Sequence, residues 1–119
     1  MKCEYFNNEK NGKCKEYNYN GELEFEGEYL NGEKNGKCQE YYANGKLKFD
    51  GEYLNGERNG KGKEYDYGRL RFEGEYLDGK RNGKVKEYNG KLSFEGKYLN
   101  GKKKKKNMID LIIIIKDMN

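Results

Sequence analysis

Leu47-Lys48-Phe49-Asp50-Gly51-Glu52-Tyr53-Leu54-Asn55-Gly56 decides the fold, because the chain writes this stretch four times. Leu-x-Phe-(Glu/Asp)-Gly-(Glu/Lys)-Tyr begins at Leu23, Leu47, Leu70 and Leu92, and Tyr-Leu-(Asn/Asp)-Gly closes each copy from Tyr29, Tyr53, Tyr76 and Tyr98. The closing blocks recur at spacings of 24, 23 and 22 residues. A period this short denotes a stacked repeat array rather than a conventional single-core domain. Within one copy, Leu47, Phe49, Gly51 and Tyr53 point one way, and Lys48, Asp50 and Glu52 the other, as in a half-buried strand.

Working outward from that strand, Asn31-Gly32-Glu33-Lys34-Asn35-Gly36 reads as a turn and Lys37 to Tyr42 as a short strand. Ala43-Asn44-Gly45 turns the chain again, and Lys46 to Leu54 forms the longer strand. Asn-Gly pairs favour tight hairpins, and the Tyr, Phe and Leu between them favour extended chain. On this reading Gly12, Gly36, Gly60 and Gly83 lie in hairpin turns. Glycine in mid-strand, as at Gly51, ordinarily weakens a strand, so its recurrence implies an aromatic lying over the backbone or a bend.

One hairpin cannot bury its own apolar face. Stacked hairpins join these faces into one narrow core, with stability summed over neighbours. The expected fold is therefore all-β: tandem antiparallel hairpins stacked into an elongated, twisted, single-sheet ribbon. Units start near Tyr5, Tyr29, Tyr53, Tyr76 and Tyr98. The expected core comprises Tyr29, Phe49, Tyr53, Tyr65, Phe72, Tyr76, Tyr88, Phe94 and Tyr98, with Tyr17, Tyr41, Tyr65 and Tyr88 supplying a second aromatic per repeat.

Only 33% of the residues are hydrophobic and 39% are charged, a composition that taken alone suggests disorder. Regular placement of 12 Tyr and 5 Phe argues against it, and the absence of proline lets every strand donate its hydrogen bonds. The net charge of +4 comes from the end of the chain: residues 102–119 hold six Lys and two Asp, leaving 19 basic and 19 acidic side chains in residues 1–101. The repeats thus make no electrostatic case for nucleic acid.

The array is expected to span 1–101, followed by a tail over 102–119. Lys102, Lys103, Lys104, Lys105 and Lys106 are candidate contacts for an anionic lipid surface. The apolar run 108–115 is far short of the roughly 20 residues that cross a bilayer, and is expected to pair along the last edge as a cap. Cys14 and Cys38, one period apart, are expected near each other on neighbouring rungs, as small half-buried thiols rather than a disulfide. No apolar N-terminal segment resembles a signal peptide, so a reducing, cytoplasmic location is the default, peripheral to a membrane if the lysines engage lipid.

Candidate chemistry is sparse. Glu22, Glu24, Glu26 and Glu28 line the polar face of one strand, continued by Asp50, Glu52, Glu73, Glu75 and Glu95. Acid–base or metal chemistry is conceivable for paired carboxylates. Lys46, Lys48, Arg69, Arg71 and Lys97 interleave with them, as cross-strand charge pairing on a solvated sheet requires. Histidine is absent, which removes His-based triads and His-containing zinc sites. No cofactor or metal is expected, and the chain reads as non-enzymatic.

Tyr53-Leu54-Asn55-Gly56-Glu57-Arg58-Asn59-Gly60-Lys61-Gly62-Lys63-Glu64-Tyr65 and Tyr76-Leu77-Asp78-Gly79-Lys80-Arg81-Asn82-Gly83-Lys84 resemble MORN repeats (membrane occupation and recognition nexus), in the variant with Tyr-x-Asn-Gly. The resemblance covers residues 5–101. The family's Gly-x-Gly stands at Gly60-Lys61-Gly62, whereas Cys14, Cys38 and Val85 take the second position elsewhere. The resemblance implies an extended hairpin ribbon serving as a scaffold for protein–protein interaction or self-association, or as a peripheral membrane module acting through the lysine cluster.

Overall fold

The computed structural model describes residues 1–104; Lys105, Lys106 and the expected cap at 108–115 lie outside the described residues. Ten strands run in chain order: β1 (Lys2–Phe6), β2 (Glu9–Tyr17), β3 (Leu23–Leu30), β4 (Glu33–Tyr41), β5 (Leu47–Leu54), β6 (Glu57–Asp66), β7 (Arg69–Leu77), β8 (Lys80–Asn89), β9 (Lys91–Leu99) and β10 (Lys102–Lys103). Each pairs antiparallel with its sequence neighbours in one open sheet. The ribbon measures 62 × 30 × 17 Å, a single layer. The all-β hairpin ribbon expected from the repeat is what the chain forms.

The two edges of the ribbon are built differently. Along one, Asn31-Gly32, Asn55-Gly56, Asp78-Gly79 and Asn100-Gly101 form two-residue turns with φ of +49° to +51° at the first residue and +82° to +85° at the glycine. Both angles are positive, as a type I′ turn demands, and its twist matches that of the flanking strands. Each turn glycine also donates to a carbonyl of the preceding repeat, as Gly56 N–H does to Lys34 O at 2.9 Å, so the turns stack along this edge. Along the other edge the loops shrink. Five residues separate the paired Tyr41 and Leu47, four separate Tyr65 and Leu70, and three separate Tyr88 and Leu92. The first loop, between Tyr17 and Leu23, also has five, and the spacings of 24, 23 and 22 arise from the one residue lost at each of the last two loops.

The six-residue turn expected at Asn31–Gly36 is corrected. The turn ends at Gly32, and β4 begins at Glu33, so Asn35-Gly36 lies inside the strand. Gly12, Gly36, Gly60 and Gly83 keep positive φ, from +83° to +100°, but as bulges opposite β1, β3, β5 and β7, where the registers shift. A bulge leaves a backbone N–H without a ladder partner. A glutamate from the neighbouring strand takes it up: Lys61 N–H donates to Glu52 and Lys84 N–H to Glu75, both at 3.0 Å, and Lys13 N–H to Glu4 at 2.6 Å.

The core is a ladder of rings. Phe49 packs edge-on against Tyr53 of its own strand at 6.1 Å and against Tyr76 of the next repeat at 5.6 Å. Phe25 does the same with Tyr29 and Tyr53, and Phe72 with Tyr76 and Tyr98. Such T-shaped pairs contribute about 0.5–1.5 kcal/mol each beyond area burial. The mid-strand glycines make room for the rings: a Cβ added to Gly51 would lie 2.6 Å from Phe49 Cζ, and one on Gly62 2.7 Å from Phe49 Cε1.

Tyr65 and Tyr88, expected in this core, lie outside it. Each follows a glutamate that faces the rings, so the pleat turns the tyrosine to the opposite face, where Tyr88 O–H donates to Glu73. Phe25, Cys38 and Val85 join the core instead. The cysteine expectation is corrected too. Cys14 meets Cys3 across β1 and β2 in a disulfide, with Cα atoms 4.0 Å apart. Cys38 stays free and buried on β4, with Gly27 of β3 between it and Cys14.

Candidate interaction surfaces

The aromatic face is occupied by its own side chains. Glu16, Glu40, Glu64 and Glu87 stand between the phenylalanines in the row Glu16–Phe25–Glu40–Phe49–Glu64–Phe72–Glu87–Phe94 that runs across the strands. Carboxylates beside buried rings need partners. Tyr29, Tyr53, Tyr76 and Tyr98 donate their hydroxyls to them in turn. A cation at one equivalent position per repeat completes the set: Lys10, Lys34, Arg58, Arg81 and Lys103. Arg81 grips Glu64 through two bonds of 3.0 Å and lays its guanidinium 4.0 Å from the Phe72 ring centre. Arg58 lies 3.9 Å over Phe49.

These contacts set the ionisation. Burial opposes the charge on Glu64, but Arg81 and the Tyr76 hydroxyl outweigh it and hold the carboxyl below its ordinary range. Tyr29, Tyr53 and Tyr76 are pushed well above the ordinary tyrosine value by burial and by their carboxylate partners. Burial, with Glu40 beside it, pushes the Cys38 thiol up to about 12, so it stays protonated and unreactive near neutrality.

Lys103 belongs to this network. It pairs with Glu87 at 2.9 Å and lies 4.6 Å over the Phe94 ring, while Lys102 pairs with Leu99 across the last turn. Of the candidate lipid contacts, Lys102, Lys103 and Lys104 are exposed, but Lys103 is already matched with a carboxylate. Sequence reasoning missed the cations of this network, and counting one period on from Lys34, Arg58 and Arg81 would have found Lys103.

The opposite face is open. Lysines on even strands alternate with acids on odd strands, as in Lys13–Glu28, Lys37–Glu52 and Lys61–Glu75. Between the two charged rows the floor is backbone at Gly51, Gly62, Gly74 and Gly96, and a trough of about 790 Å³ runs over it. A second stretch of about 580 Å³ continues it over Gly27 towards β2. Apolar side chains flank the trough on both sides. Leu30, Leu54, Leu77 and Leu99 stand half exposed or more beside the tight turns, and Tyr17, Tyr41, Tyr65 and Tyr88 line the other side. The charge pattern changes at the far end, where Lys84 faces Lys97 directly and Lys80 takes the place of Glu57 beside the leucine.

Among the described residues no cluster of three or more potential ligands could hold a metal ion, and no helix is long and apolar enough to cross a membrane. The family model for the MORN repeat matches residues 4–22, 25–46, 49–68 and 72–84. The chain belongs to the MORN repeat family. These repeats serve generally as non-enzymatic modules of protein and membrane interaction. No curated protein matches the chain. In this MORN array the family match ends at Lys84, yet the hairpin pattern continues through β9 and β10 with the same ring, glutamate and cation.

Proposed function

We propose that this chain is a non-enzymatic scaffold that holds a protein partner along the trough of its charged face. The observation that carries the reading is the contrast in exposure between the two faces of one strand: Phe49 is fully buried, whereas Leu54, five residues on and on the other face, is 49% exposed. Its equivalents Leu30, Leu77 and Leu99 repeat that exposure in a row, two strands apart. Regularly spaced leucines beside a trough of alternating charge suit a partner segment laid across the strands, with apolar anchors on one flank and charges over the floor. Neutral balance along most of the face favours a partner of mixed charge.

Photo-cross-linking in cells tests this. A cross-linking residue at Leu54 and one at Leu77 should trap the same protein, and one at the fully exposed loop residue Tyr19 should not. Equal labelling from all three positions would refute a defined binding face.

A second reading rests on the like-charged pair Lys84–Lys97, continued by the exposed Lys102 and Lys104 beside Leu99. A basic end with an adjacent leucine suits an anionic lipid surface. Co-sedimentation with anionic vesicles, lost on Lys84→Glu/Lys97→Glu and at raised salt, would support it. Binding to neutral and anionic vesicles alike would count against it.

A further inference from the structure

The outer edge of β1 carries a second contact surface, at the end of the ribbon and away from the leucine row. The Asn7-Asn8 turn, with φ of +50° and +66°, closes β1 on β2 with Phe6 and Glu9 as the facing pair. A two-residue turn hydrogen-bonds that closing pair, so the next residue, Tyr5, aims its N–H and C=O away from β2, and Cys3 two residues on does the same. These groups have no partner among the described residues. Met1 and Tyr5 stand one period before Phe25 and Tyr29, yet Met1 is 66% and Tyr5 60% exposed where Phe25 is 3%. A hollow of about 450 Å³ lies along this strand, lined by residues 1–5 and Lys13. The Cys3–Cys14 disulfide holds the strand against β2.

We propose that two copies of the chain join through β1, paired antiparallel about a two-fold axis at Cys3. Backbone direction and charge select this register. With Cys3 facing Cys3, the outward groups of both strands match, Met1 faces Tyr5 of the second copy, and Lys2 faces Glu4 of the second copy. Sliding by two residues in one direction sets Glu4 against Glu4, and in the other Lys2 against Lys2. Like charges directly opposite destabilise a strand pair. Within its own sheet Lys2 already faces Lys15, so an acid on its free side restores the alternation of charge seen along the rest of this face. The aromatic face gains a methionine–tyrosine contact where the ring ladder ends. Pairing two edges removes both from solvent, as exposed edges require. An interface of this size is small, so association is expected to be reversible and concentration-dependent.

The test mixes isotopically light and heavy full-length protein, treats the mixture with a carbodiimide that joins amines directly to carboxylates, and maps the products by mass spectrometry. Light–heavy links between Lys2 and Glu4 are expected. Sedimentation across a concentration series should show twice the chain mass at the upper end. Tyr5→Pro removes an outward N–H and a 60% exposed ring, both used in the paired edge rather than in the monomer, so it should stay monomeric with an unchanged circular dichroism spectrum. Lys2→Glu should weaken association several-fold and serves alone if the proline variant misfolds. A monomer at every concentration, an association that both variants leave unchanged, or links placing Lys2 against another residue would overturn the proposal. Any of these would leave partner capture on the charged face untouched, because its cross-linking positions lie on other strands.

Discussion

The two faces of this ribbon share one backbone and both carry glutamates and cations, yet they use charge in opposite ways. On the aromatic face every glutamate of the ring row is enclosed by a tyrosine hydroxyl, and in most repeats also by a cation lying on a ring. On the other face the ion pairs Lys15–Glu26 and Lys86–Glu95 span 3.6 and 3.8 Å and stand in solvent. Exposed pairs of that kind contribute little, about 0–1 kcal/mol. The difference teaches that an ion pair stabilises this protein only where it is packed against rings. Where it is not, it remains available to something else.

Paired substitutions break or sharpen the contrast, the largest effect coming from the ring ladder. Phe49→Ala should cost about 3–5 kcal/mol in denaturant unfolding, because it opens a cavity and cuts two ring contacts. Leu54→Ala, five residues away on the other face, should change stability by no more than about 0.5 kcal/mol. Comparable losses would mean the leucine row is part of the core after all. Next, Arg81→Met should cost about 1–3 kcal/mol, since it strands Glu64 beside Phe72. Lys86→Met should lie within the 0–1 kcal/mol range of exposed pairs.

The pH dependence separates the faces further. Tyrosines in the unfolded chain ionise near pH 10, while Tyr29, Tyr53 and Tyr76 resist ionisation in the fold. The folded state therefore binds more protons above that pH, and stability falls as pH rises through and beyond about 10. Tyr76→Phe should flatten this alkaline loss, as followed by thermal melts across pH. In acid the sign reverses. Glu64 and Glu87 hold depressed values, so their contribution is complete above the ordinary carboxylate range and is lost as pH falls through their folded values. Arg81→Met should blunt that loss. The smallest effect is salt: raised ionic strength should barely move the melting temperature, because the exposed face contributes little to begin with.

The sequence made the ribbon and the alternation of β5 legible, together with the glycine beneath each ring. It concealed what depends on context. Asn31-Gly32 and Asn35-Gly36 are the same dipeptide, and both glycines have positive φ. Only the first asparagine shares that conformation, which separates a turn from a bulge, and nothing local in the letters records it. Hydrophobicity placed Tyr65 and Tyr88 inside. Glutamate stands there instead because a tyrosine hydroxyl together with Arg81 neutralises Glu64, a solution assembled from three strands. Cys3 was legible in retrospect, standing one period before Gly27 in the same row. Of the interaction surfaces, the charged rows were visible from alternation, but the trough between them was not, since it depends on backbone left bare by small residues.

The shrinking loops have a consequence of their own. One margin of the ribbon is graduated evenly, its tight turns recurring with every hairpin, while the opposite margin steps from five to four to three residues. A strictly periodic surface would offer the same site at every repeat and would let a bound segment slide by whole repeats. This one changes along its length once past the second loop, so its two ends differ and whatever lies along it can be told where to stop.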